Sequence, residues 1–165
     1  MDRDRDPFPP LISRRSPSYE RAWREFPHPT EDQGAETVAL LARLSEAEQN
    51  ASQACAQLAP LLEDDEAAEV VRDVGDLHAA RRQALAKLIE RCGGSAPTDR
   101  ECRDILTQTT YETTQARTAE DAGRALDVLQ RELAAEYATA RQSPHLDEAQ
   151  RDALAALAPE PIRLT

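Results

Sequence analysis

Residues 36–92 constrain this chain more than any other stretch, because they carry two long apolar stripes at helical spacing joined by a short turn. In the first arm, Val38, Leu41, Leu44, Glu48, Ala51, Cys55, Leu58 and Leu62 recur at steps of three and four, which is one face of a 3.6-residue helix. In the second, Ala67, Val70, Val74, Leu77, His78, Arg81, Leu85, Leu88 and Cys92 make a similar stripe. The Pro-then-acidic turn from Pro60 to Asp65 is short, so the two helices are expected to lie antiparallel. Each stripe has polar members: Glu48 in the first, His78 and Arg81 in the second. Folding the chain about residue 63 places Glu48 and His78 at one height, each fifteen residues from the turn. That layer reads either as a core hydrogen bond, with His78 otherwise at the stripe edge facing water, or as a remnant metal site.

The following residues extend the helical pattern. The first two helices are expected at about 35–59 and 65–91. Gly93-Gly94 stops the second, since glycine accepts the left-handed conformation that ends helices. Thr98 and Glu101 fit a capping box, which predicts a third helix over about Asp99 to Ala116. A threonine cluster, Thr107 to Thr114, weakens its propensity. Thr118, with acid in the turn that follows, predicts a fourth helix from about Ala119 to Arg141. Its inward face holds Ala122, Leu126, Leu129, Leu133, Glu136 or Tyr137, and Ala140. Leu146 to Leu157 reads as a short fifth helix with Leu146, Ala149, Leu154 and Leu157 inward.

Residues 1–33 are a different material. They hold six of the eleven prolines, and the residue before each proline is pushed away from helical angles. The segment is expected to be disordered or extended. It also holds four of the six aromatics: Phe8, Tyr19, Trp23 and Phe26. Tyr19, Trp23 and Phe26 follow i, i+4, i+7 spacing, so a short helix closed by Pro27 is expected to anchor in a groove, of a partner or of its own bundle. The organisation expected is an arm over 1–33, a helical domain over 34–158 and a tail over 159–165.

Composition narrows the function. A formal charge of −11 disfavours nucleic acid, whose phosphates need Lys and Arg, and disfavours anionic membrane surfaces. No apolar run reaches membrane-span length and the N-terminus lacks a signal-peptide core. A cytoplasmic location is therefore expected. Cys55, Cys92 and Cys102 show no Cys-x-x-Cys spacing and read as reduced thiols on apolar stripes, with Cys92 and Cys102 a secondary candidate for a redox pair across their loop. No glycine-rich phosphate loop, nucleophile elbow or zinc spacing is present, which leans away from an enzyme without deciding the question, and a Cys–His nucleophile pair stays open although the cysteines sit on apolar stripes.

Reflecting the height argument across the later turns adds Glu112, with Asp121 or Asp127, to the Glu48–His78 layer. Glu48, His78 and Glu112 are thus the candidate metal ligands. Di-iron bundles use Glu-x-x-His on two helices, whereas Gly75 stands three residues before His78. No cofactor is expected, with iron as the alternative.

The Leu-Ser-Glu-Ala-Glu run ending at Glu48, the run from Leu85 to Gly94 followed by Pro97, and Leu126 through Glu132 to Tyr137 together resemble the ferritin-like four-helix bundles. Within them the match is most similar to an uncharacterised bacterial branch known as a domain of unknown function. The resemblance covers about residues 36–157. It implies an antiparallel up-down four-helix bundle, often self-associating and in some members iron-linked or stress-linked. The function expected is a non-enzymatic bundle working through protein contacts, with a protein partner or a second copy. The alternatives are a metal-binding or oxidase bundle with a degenerate site, and a coat on a granule or polymer surface, since Ala-rich amphipathic helices cover apolar surfaces.

Overall fold

A computed structural model describes residues 34–159. Within them the chain is all-helical, with no strand. The elements are α1 (Gly34–Leu58), a 3-10 turn (Ala59–Leu61), α2 (Asp65–Arg91), α3 (Thr107–Gln115), α4 (Ala119–Arg141) and α5 (Glu148–Leu157). The expected aromatic arm, with Tyr19, Trp23 and Phe26, lies outside the described residues. No described helix is long and apolar enough to cross a membrane.

The hairpin of α1 and α2 forms as the stripes predict. Pro60 opens the 3-10 turn, and the Asp64 side chain accepts from the Glu66 backbone N–H to start α2. Side-chain pairs fix the antiparallel sense: Gly75 lies against Cys55, His78 meets Glu48, and Gly94 lies against Val38. The stripe on α2 differs from the expected one in its first half. Ala68, Val71, Gly75 and His78 are buried, while Ala67, Val70, Val74 and Leu77 are only half-buried. The reason is Gly75. A Cβ built there would sit 3.0 Å from the Cys55 Cβ, so the two helices cross closely at a residue that hydropathy patterns ignore. That crossing turns the buried face by about one residue.

The end of α2 is a glycine stop of the Schellman type. Gly93 has φ +82, its N–H bonds to the Glu90 carbonyl, and the Gly94 N–H bonds to the Ile89 carbonyl.

The third helix is shorter than its capping box implies. Glu101 does reach back to the Thr98 N–H at 2.9 Å, but a single turn forms and stops. α3 begins only at Thr107. The intervening backbone finds tertiary partners instead. The Glu46 carboxylate accepts from the Arg103 N–H at 2.7 Å, and Asn50 Oδ1 accepts from the Ile105 and Leu106 N–H groups at 2.7 and 3.1 Å. Asn50 Nδ2 also donates to the Arg103 carbonyl. The start of α3 has no local cap. Glu132, on α4, caps it from across the hairpin by accepting from the Gln108 and Thr109 N–H groups and the Thr109 hydroxyl.

α4 matches its expected span, and the Thr118/Asp121 capping box closes in both directions. α5 starts later than expected because Asp147 and Gln150 form a second capping box. That box buries Gln150 and leaves Ala149, expected inward, exposed.

The core runs between α1, α2 and α4. Five consecutive residues of α1, Leu44 to Glu48, are buried, so this helix is covered on all sides at its middle. The covers are α2, α4 and the 103–106 segment.

Candidate functional site: a carboxylate closed inside the core

At mid-height of α1, Glu48 is 0 % exposed. Three helices supply its surroundings. Its Oε2 lies 2.6 Å from His78 Nδ1 of α2, and its Oε1 accepts from the Tyr137 hydroxyl of α4 at 2.6 Å. His78 is 3 % and Tyr137 2 % exposed, so the three groups share one buried layer. An ionised carboxylate only accepts hydrogen bonds, so Nδ1 of His78 carries the proton in this contact.

The electrostatics favour the ionised acid. Burial by itself pushes the Glu48 carboxyl up. The His78 ring, the positive Arg81 one turn further along α2 and the Tyr137 hydroxyl outweigh burial, and the net direction is below the ordinary glutamate value of 4.5. Hydrogen bonds and a nearby positive charge to the charged form are the physical cause.

The same layer silences the nearest thiol. Cys55 is pushed up to about 12, by burial and then by the negative charge of Glu48. Burial also raises Cys92 and Cys102, and all three cysteines are free thiols. None is poised as a thiolate nucleophile.

Of the candidate metal ligands, Glu48 and His78 meet, and Glu112 does not join them. It faces Arg124 at 3.9 Å on the α3–α4 hairpin. Asp121 is engaged in the α4 capping box, and Asp127 is exposed. Equal heights do not carry past the first hairpin, because residues 102–106 are not helical and α3 begins only at Thr107. Among the described residues, no group of three or more His, Cys, Asp and Glu side chains is placed to hold a metal ion.

The partner that sequence reasoning left open is Tyr137, read only as one of two inward options. A signal was present: a tyrosine on an apolar stripe needs an acceptor when buried, and Glu48 is the acidic member of a facing stripe. Glu46, Asn50 and Glu132 carried no such signal, because each serves backbone groups distant in sequence.

Comparison with known proteins found no matching family model, no matching curated protein and no matching solved structure.

Proposed function

We infer that this chain is a non-enzymatic helical bundle that acts through protein contacts, with its two helical hairpins arranged up and down in the ferritin-like manner. The observation that carries the reading is the state of Glu48. Both of its oxygens are already taken by protein donors, and no part of it reaches solvent. A carboxylate in that state orders a core. It ties α1, α2 and α4 into one register, as buried polar groups do in some helical assemblies. The raised thiols supply no nucleophile. With both Glu48 oxygens engaged, the layer supports a structural role, and the reading assigns contacts to the outer faces. The antiparallel α1–α2 and α3–α4 pairs support the bundle arrangement.

The test has two arms. Sedimentation across a wide concentration range, with cross-linking in the native host cell, should yield a self-associated form or a defined protein partner. Aerobic titration with ferrous iron should give no stoichiometric oxidation. A monomer at every concentration with no cross-linked partner, or iron turnover lost on Glu48→Gln, would overturn the reading.

A further inference from the structure

A groove of about 520 Å³ opens between the first turns of α1 and the last turns of α4. Its floor is apolar: Leu40 and Leu44 from α1, and Ala140 from α4, with Ala39 and Thr139 exposed on its two walls. Across it, the Arg43 guanidinium makes two hydrogen bonds to the Glu136 carboxylate, at 2.8 and 2.9 Å. The groove is of the size that holds drug-like ligands or large side chains. Two independent facts concern its occupant. The groove begins at Glu36, two residues past the point where the chain enters α1 at Gly34. The segment directly before that entry concentrates the aromatic residues, with Tyr19, Trp23 and Phe26 at i, i+4, i+7.

We propose that the Tyr19–Trp23–Phe26 set of the same chain seats in this groove, with the Trp23 ring on the apolar floor beside Arg43. The reach is sufficient. Gly34 lies eight positions after Phe26, and eight steps of 3.3–3.6 Å span up to about 26–29 Å. The α1 wall from Glu36 to Leu44 is only about 12 Å long at 1.5 Å per residue. The chemistry also matches. An indole buries a large apolar area, and its face attracts a guanidinium already held in place by a carboxylate. A tether this short sets an effective concentration of roughly millimolar, which favours the chain's own segment over a second copy. This inference does not rest on the contact-bundle reading: a chain that never associates can still cover its own groove.

The test uses the full chain, in which Trp23 is the single tryptophan. Trp23 emission is expected to be blue-shifted and several-fold protected from iodide quenching, and unchanged on dilution. Ala39→Phe and Thr139→Phe each place a ring in the groove from an exposed position on opposite walls. Each is expected to move the emission to that of tryptophan in water while far-UV circular dichroism keeps its helical signal. Emission typical of water in the unaltered chain would overturn the proposal. So would a blue shift that survives both substitutions, or one that disappears on dilution, which would assign the occupant to a second copy.

Discussion

Glu48 and His78 are thirty residues apart in the chain and 2.6 Å apart in the core, joined across the α1–α2 hairpin. Tyr137 closes the other carboxylate oxygen at the same distance. The layer holds three helices through one acid, and its energetics are open to direct measurement.

Removing the tyrosine hydroxyl isolates one of these bonds. Tyr137→Phe keeps the ring in its buried place and leaves Oε1 of Glu48 without its donor. Hydrogen bonds to charged groups contribute about 1.5–3 kcal/mol, so urea unfolding should show a loss of that size. A loss below about 0.5 kcal/mol would mean that the carboxylate is not ionised in the folded state or that water replaces the hydroxyl.

The acid also makes stability depend on pH. The folded Glu48 sits below its ordinary value of 4.5, with burial opposing and His78, Arg81 and Tyr137 prevailing. A depressed acid releases its proton more readily when folded, so its stabilisation is complete above the unfolded value. It is lost as pH falls through the folded value. The stability difference between the native chain and Glu48→Gln should therefore be largest at neutral pH and shrink as pH drops below about 4.5, in urea titrations at several pH values. A constant difference would show that the folded and unfolded carboxyls titrate alike.

Two helical glycines should respond in opposite directions to the same change. A Cβ at Gly123 meets nothing within 4 Å, so Gly123→Ala should stabilise by about 0.5–1 kcal/mol through helix propensity and a less free unfolded chain. A Cβ at Gly75 meets the Cys55 Cβ at 3.0 Å. That atom is fixed to the α1 backbone and cannot rotate away, so the helices must part. Overpacking costs about 1–3 kcal/mol, and Gly75→Ala should lower the thermal midpoint despite its better propensity. Equal shifts at the two sites would refute the close crossing.

Two α1 side chains hold the 103–106 segment, Glu46 at Arg103 and Asn50 at Ile105 and Leu106. Asn50→Ala removes the acceptor for the Ile105 and Leu106 N–H groups and the donor to the Arg103 carbonyl. Amide exchange at residues 103–106 should accelerate strongly, while exchange at the centre of α2 should stay slow. Glu132→Ala should instead loosen the first turn of α3, at a cap cost of about 1 kcal/mol. Uniform acceleration across the chain in either variant would mean global destabilisation and not local release.

Much of this molecule is written in local pattern. The spans of α2 and α4 and the antiparallel sense of the first hairpin follow from stripes, caps and a short turn, because each depends on residues within a few positions. The pairing of Glu48 with His78 follows as well, since equal distance from one turn is a local property of a hairpin. Three features belong to the tertiary structure alone. The unravelled start of the expected third helix exists because Glu46 and Asn50, more than fifty residues upstream, outbid the helical hydrogen bonds of residues 103–106. The rotated face of α2 exists because Gly75 allows a close approach that depends on where α1 lies. The closing of Glu48 by Tyr137 needs α4 beside α1, and it decides that the carboxylate is a sealed core group and that Glu112 stands apart from it. Sequence periodicity shows which side of a helix is apolar. Which partner meets that side is set by packing among elements far apart in the chain.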